Sequence, residues 1–346
     1  MDQDGRVIAR HIFARHLEPG RYWTVNELPV SFEITRGFTF QMHGRILYLP
    51  MGLPFSLHRF RPDVIVTEQL GLILLFTLLY ALPLGVPVIL RWEGTPHTER
   101  RYGGRVRRLV RYLLASRLTG FLCYSSGSER YLRSLGLKQP IRHIPYSVDD
   151  NLFYPPESLN AHNPRVFLFV GHIVERKGVR LLLPAFYRVI RDFPDVELWI
   201  VGEGAQREVL QASVPTKYAA NIRWLGFLPE QEIADLMRQA GALVCPTLED
   251  HGPVVQIEAA RTGLPIISTP YSGNAELVVE DGVNGYIVEP HDTDQLATAM
   301  IRLLELSDRS RLYQRTLELV EIHNQRDEAC ITIDAVSDIR QAVSQS

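Results

Sequence analysis

The chain has little cysteine: three in 346 residues, Cys123, Cys245 and Cys330. An odd number, far apart, without CxxC spacing or neighbouring histidines, excludes a disulfide framework and fits a reducing cytoplasm. An excess of charge of one sign is also missing. Lys and Arg number 37 against 39 Asp and Glu, a formal net charge of −2, so no global field attracts nucleic acid. There is no Asp-x-Asp pair at a strand end and no His/Cys ligand cluster, so no metal centre is expected. The opening segment, MDQDGRVIARHIFARHLEPG, lacks the continuous apolar stretch of a secretory signal. One stretch, Leu70 to Leu90, is uncharged and about as long as a membrane-spanning helix. Pro83, Gly85 and Pro87 argue against a span. They predict an apolar helix ending near Leu82, a tight PLGVP connection and a short strand from Val86 to Arg91.

What is present is a core. Hydrophobic residues make up 46% and charged residues 22%, typical of a globular protein, and the length favours two domains over one. From Arg61 short apolar runs alternate with helical segments. Strands are expected at Asp63 to Thr67, Val86 to Arg91 and Gly120 to Tyr124, and helices from Leu70, from Arg105 and over Ser128 to Leu135. The polar, proline-rich passage IPYSVDDNLFYPPESLNAHNP reads as a linker. Beyond it the alternation restarts, with strands at Val166 to Val170, Val196 to Val201, Ile222 to Leu225, Ala242 to Cys245 and Pro265 to Ser268. This pattern predicts an α/β chain with two parallel-sheet domains, residues 1–150 and 151–346. No apolar strand leading into a Gly-rich turn precedes Ile46, so the first domain is expected to lack its opening strand.

Two segments carry chemistry. The first, PTLEDHGPVVQIEAARTGLPIISTP from Pro246, leaves a strand and enters a helix. Gly252 and Pro253 place the helix start near Pro253, where N–H groups, Val254's among the candidates, attract an anion. Asp250 precedes the helix and Glu258 lies more than a turn into it, so the two acids reach separate parts of a ligand. Glu249 adjoins them. In the second, VGHIVERKGVRLLLPAF from Val170, a strand ends at Gly171 and His172 and a loop delivers Arg176 and Lys177 to a helix start. That arrangement suits a diphosphate. In IVGEGAQREVL, Gly202 and Gly204 bound a turn after a strand. Separately, Arg100, Arg101, Arg105, Arg107, Arg108, Arg111 and Arg117 cluster around a helix that carries Leu109, Val110, Leu113 and Leu114 on its other face. Two readings stand: a surface for anionic lipid headgroups, or a solvated helix face.

The Asp250–Glu258 spacing, the following Ala and the Gly-x-Pro strand entry resemble the motif of family 4 glycosyltransferases (glycosyl transferases group 1). Lys177 and Gly178 match that family's Lys-Gly pair. The landmarks IVGEGAQREVL, WLGFLPEQEIADLM and SGNAELVVEDGVNGYIVEP follow in the family's order, so that the resemblance covers most of Arg165 to Leu304. It implies a GT-B fold, two facing Rossmann-like domains with an interdomain cleft, and a last helix around Asp334 to Val343 that crosses back to the first domain. It further implies transfer of a sugar from a nucleotide diphosphate sugar, with retention and without a cofactor or metal, to a glycan or lipid-linked acceptor in polysaccharide, cell-envelope or glycolipid biosynthesis. The expected location is the cytoplasm, at the inner face of the membrane if the arginine helix meets lipid.

By the same resemblance Glu258 holds the ribose, Arg176 and Lys177 hold the diphosphate, Asp250 or Glu249 contacts the donor sugar, and Gly202 and Gly204 lie near the base. Glu93 occupies the place where relatives put a His near the reacting carbon, with His97 as the other candidate. Three departures stand out: His172 replaces the usual Arg, Asp250 the usual Glu, and Ser272 and Ala275 flank Gly273 before Glu276. His172 and Asp250, together with the missing opening strand, motivate a second reading, a nucleotide-sugar-binding protein without turnover. A third, less favoured, is an enzyme of this fold that uses phosphate as acceptor.

Overall fold

In the computed structural model the described residues are 7–14, 32–42, 45–100 and 104–344. They form two compact units: Met1–Trp92 with Gly103–Ile144 and Ala329–Ser346, and Glu93–Tyr102 with Pro145–Glu328. The ten-residue piece after Trp92 thus belongs to the second unit, and the chain's end to the first.

The first unit opens with β1 (His11–Phe13) and β2 (Phe32–Ile34), paired in parallel, followed by the antiparallel pair β3 (Phe38–Met42) and β4 (Arg45–Leu49). Strands therefore do precede Ile46. They are three to five residues long, too short to show a period in the sequence. Next come β5 (Ile65–Thr67), β6 (Val88–Trp92), β7 (Gly120–Cys123) and β8 (Ile141–His143), a parallel sheet in that order. Val88, Ile89 and Leu90 are all buried, which is why β6 reads as a continuous apolar run.

The helix Leu72–Leu84 continues past the expected stop at Leu82. Pro83 sits in its last turn, and Gly85 at φ 67° ends it with its N–H on the Ala81 and Leu82 carbonyls. Among the described residues no helix is long and apolar enough to cross a membrane.

The second unit is a parallel sheet of β9 (Val166–Val170), β10 (Glu197–Val201), β11 (Ile222–Gly226), β12 (Ala242–Val244), β13 (Ile266–Ser268) and β14 (Gly285–Ile287), in the order β11-β10-β9-β12-β13-β14. Central β9 is packed through Phe167 and Phe169 against Leu182 and Phe186 of the helix Val179–Asp192. The passage read as a linker is anchored: Tyr146, Val148 and Phe153 are buried, and the Tyr146 N–H donates to His323 Nδ1 (2.9 Å). Its polar composition hides these apolar anchors. The last helix, Gln325–Ser344, puts Ile339 against Gly120, where an added Cβ would stand 2.6 Å from Ile339 Cγ2.

Candidate functional site

The carboxyl ends of β9 and β10 are joined through glycines. Gly171 (φ 151°) and Gly202 (φ 128°) lie where L side chains are strained, and a Cβ on Gly202 would fall 2.0 Å from the Gly171 carbonyl oxygen. A Cβ on Gly204 would fall 2.4 Å from the Ile173 oxygen. The gap is closed by Gly171 N–H to Val201 O (3.0 Å) and Ile173 N–H to Glu203 O (2.9 Å). These glycines serve close backbone approach, which fixes the loop that carries the cations.

That loop forms a short 3-10 turn, Glu175–Lys177, ended by Gly178 at φ 74° against the Pro246 carbonyl. The Arg176 carbonyl accepts from the Leu248 N–H (2.7 Å) and from Thr247 Oγ1 (2.9 Å), binding the β12 exit loop to the cationic turn. Side chains then converge on one oxygen. Lys177 Nζ pairs with Asp250 Oδ2, and Arg176 Nη1 lies 3.3 Å from the same atom and 3.3 Å from the Glu249 carbonyl. The side chains of Lys177 and Asp250 are each 13% exposed, so this pair is shielded while Arg176 reaches solvent. A small recess beside them is lined by Phe169, Lys177, Cys245, Thr247, Asp250 and Pro253. His172 adds no charge: partial burial and then the neighbouring Lys177 and Arg176 push its pKa down. Its neutrality leaves the positive charge to the other two.

The helix Val254–Arg261 begins one residue later than the sequence suggests. Pro253 is its cap, and Gly252 admits the Tyr146 hydroxyl, 1.9 Å from where a Cβ would be. Because proline has no N–H, the first helical donors belong to Val254 and Val255. A buried polar network props this helix start. Gln256 Nε2 donates to Ser268 Oγ (2.8 Å), Ser272 Oγ lies 3.2 Å from Gln256 Oε1 and from Asn274 Oδ1, and Asn274 Nδ2 donates to the Pro253 carbonyl (2.9 Å). Gly273 donates to the Asp250 carbonyl (3.0 Å), and a Cβ there would stand 1.5 Å from the His251 oxygen. The departures Ser272 and Ala275 thus leave the turn intact, since its closest contact is made by Gly273. Glu276 is exposed beside it.

Glu258 differs from every other acid of the site. It is half-buried, and its carboxyl has no hydrogen-bond or ion-pair partner among the described residues. Desolvation, then the charge of Glu230, pushes its pKa up to about 7.

The Glu93–Tyr102 segment contributes the remaining candidates. His97 Nε2 lies 2.9 Å from the Leu248 carbonyl, an acceptor, which assigns the proton to that nitrogen, and its ring packs tilted against that of Tyr271, 4.4 Å between centroids. The site's second candidate histidine is therefore tied to the loop it faces. Glu93 is exposed. Two residues not among the candidates are paired here: His251 Nε2 stands 3.8 Å from Glu99 Oε1, and Glu99 is buried. Glu99 above all, then the charges of Asp250 and Glu93, raise the His251 pKa against the opposing desolvation. Only spacing across about 150 residues links them, and no local motif could have found the pair. Among the described residues no group of His, Cys, Asp and Glu is arranged to hold a metal ion.

Two family models match the chain: Glycosyltransferase Family 4 over residues 7–152 and Glycosyl transferases group 1 over residues 150–318. An uncharacterized glycosyltransferase of Haemophilus influenzae is 26% identical over 252 residues, 70% of this chain and 69% of that one. A phosphatidyl-myo-inositol mannosyltransferase of Mycolicibacterium smegmatis is 33% identical over 167 residues, 47% of this chain, and the match spans 42% of the relative. Among solved structures, Anabaena Alr3699/HepE in complex with UDP aligns with a TM-score of 0.71 at 19% identity, covering 91% of this chain and 86% of that one. Likeness at that identity shows the fold, which is GT-B. With models matching both halves in sequence, the chain belongs to the family 4, group 1 glycosyltransferases.

Proposed function

We propose that the chain transfers a sugar from a nucleoside diphosphate donor to an acceptor hydroxyl, with retention at the anomeric carbon. The observation that carries this reading is the unpartnered, half-buried carboxyl of Glu258, on the helix whose start adjoins Lys177, Arg176 and Asp250. A ribose presents two vicinal hydroxyl donors and would satisfy it. The diphosphate would take up charge-assisted hydrogen bonds from Lys177 and Arg176, now spent on Asp250, and from the Val254 and Val255 N–H groups. Asp250, relieved of part of that pairing, would accept from a hydroxyl of the donor sugar, with Glu249 beside it.

In the reaction the bond between the anomeric carbon and the diphosphate oxygen breaks, and the acceptor oxygen bonds the same carbon on the same face. The acceptor proton passes to the departing phosphate. Positive groups already aimed at the leaving group stabilise its growing charge, so a metal ion has no task to perform. On the acceptor side Glu93 is the better candidate, because His97 is engaged with Leu248. The Mycolicibacterium relative, named for transfer of mannose to a phosphatidylinositol, and the UDP complex of the Anabaena protein support a nucleotide-sugar donor and a glycan or lipid-linked acceptor in envelope or glycolipid synthesis, and with them a cytoplasmic location.

A panel of nucleotide sugars, screened by native mass spectrometry and then for transfer, tests this. One donor should bind and turn over, and proton NMR of the product should show the donor's anomeric configuration. An inverted product would refute retention, and tight binding without transfer to any hydroxyl acceptor would favour the turnover-free reading.

A further inference from the structure

Within the second unit, the turn that presents Asp250 is gripped by a segment remote in sequence. Pro96–Arg100 forms a short helix whose start is fixed in the manner of a capping box. The Thr95 N–H donates to Thr98 Oγ1 (3.0 Å) and the Thr98 N–H to Thr95 Oγ1 (3.3 Å), with both side chains buried. This helix reaches the turn at two points. His97 Nε2 meets the Leu248 carbonyl (2.9 Å), and Glu99 Oε1 stands 3.8 Å from His251 Nε2. Leu248 and His251 flank Glu249 and Asp250, so one element holds both ends of the turn. Backbone holds it as well: the Asp250 N–H donates to the Tyr271 carbonyl (3.1 Å), and the Gly273 N–H to the Asp250 carbonyl (3.0 Å).

The two side-chain grips differ in kind. An imidazole offers an N–H to the Leu248 carbonyl in either charge state, whereas the His251 contact needs charge. Glu99 is 7% exposed, and a carboxylate so placed is costly unless a cation answers it. The His251 side chain is 42% exposed, so its proton exchanges directly with water. Carboxylates face that imidazole from each element around it. Glu99 and Glu93 belong to the gripping segment, and Asp250 to its own turn, with Lys177 and Arg176 beyond on Asp250 Oδ2. Glu99 foremost, they raise the imidazole's pKa against desolvation.

We propose that Glu99 is a positioning residue for the donor site: paired with the charged imidazole of His251, it fixes the turn that aims the Asp250 carboxyl toward Lys177 and the donor sugar. The inference rests on the transfer reading in naming that sugar as what Asp250 meets. Glu99 acts through His251 and touches no reacting atom. The sign with pH follows from the pair. It is present below the raised His251 pKa and lost as pH rises through it, so the turn is tight in mild acid and looser in alkali.

The test is hydrogen exchange of the full chain without ligand, read by mass spectrometry at pH 5.5 and pH 9, in wild type and in Glu99→Gln. The substitution keeps the shape of the side chain and removes its charge. Comparing the proteins at one pH cancels intrinsic exchange rates and the titration of Glu258, which both share. At pH 5.5 the peptides that span Asp250 and Gly273 should exchange about fivefold faster or more in the variant, the scale of one lost ion pair, and at pH 9 the two proteins should match. His251→Gln should show the same pattern at Gly273, and it decides the matter if Glu99→Gln fails to fold. With a donor that turns over, kcat/KM of Glu99→Gln should fall short of wild type by a similar factor at pH 5.5 and equal it at pH 9, a dependence that a contact serving stability alone would not give. Equal exchange of the turn at pH 5.5, or a difference of the same size at both pH values, would overturn the proposal. If neither protein transfers sugar, the proposed function falls, while the exchange comparison still decides whether Glu99 fixes the turn.

Discussion

Replacing Glu258 by Gln separates two effects of one carboxyl. Burial lifts its pKa from an ordinary 4.5 to about 7 in the folded chain. For a raised pKa the sign is fixed: the stabilising difference is fully present below 4.5, is lost as pH rises through 7, and is gone above it, because the folded state resists ionising a group that the unfolded state ionises freely. The total is at most about 3 kcal/mol. Wild type should therefore lose stability to urea between about pH 5 and pH 7 relative to Glu258→Gln, which has nothing there to titrate. Nucleotide binding reverses the preference. Ribose hydroxyls donate to the carboxylate, favour its charged form and draw the pKa back down. Affinity for a nucleoside diphosphate should then rise with pH, about tenfold per unit below 7 and up to about 300-fold if the pKa returns to its ordinary value. Isothermal titration at pH 6 and pH 8 reads this directly, and the variant subtracts the ligand's own ionisation. An identical pH dependence in wild type and Glu258→Gln would refute the ribose contact.

Other outcomes follow from the same geometry. Lys177→Ala leaves Asp250 with Arg176 alone and should weaken nucleoside diphosphate binding by about 2–3 kcal/mol, some 30- to 150-fold by titration, with the melting temperature changed far less. Gly273→Ala forces a Cβ onto the His251 carbonyl and should destabilise by about 2 kcal/mol or more, lowering donor affinity through the displaced Asp250 turn; unchanged melting and affinity would count against that clamp. The Glu99–His251 pair stabilises the charged imidazole, so its contribution is present at low pH and lost as pH rises through the raised His251 pKa. Glu99→Gln should thus lower stability at pH 5.5 and leave it nearly unchanged at pH 9, when chemical denaturation is compared at both. Activity should survive EDTA; loss restored by magnesium or manganese would contradict a leaving group held by Arg176, Lys177 and the helix start.

The sequence made the second sheet largely legible, because buried parallel strands such as Val166–Val170 are unbroken apolar runs between glycines and helices. It missed β8 and β14, each three residues long and polar or glycine-containing at one end. Asp250, Lys177 and Glu258 were visible as a motif, since spacing along one strand-loop-helix is local. What spacing could not show was the state of each group. That Asp250 is already paired, that Glu258 is not, and that Gly202 and Gly273 are required by backbone contacts all depend on segments far apart in the chain. Arg111 is the opposite case: in the sequence a charge in a basic run reads as surface, whereas its guanidinium covers Trp92 and Tyr131.

The central claim is that Lys177 and its partners hold a donor whose sugar leaves for an acceptor hydroxyl. Transfer rates of wild type and Lys177→Ala, measured side by side with the donor that binds most tightly, test it most directly. The account predicts turnover by wild type and a fall of 100-fold or more in kcat/KM for the variant, roughly the loss of one charge-assisted contact to the leaving group. Equal rates for the two proteins would contradict it.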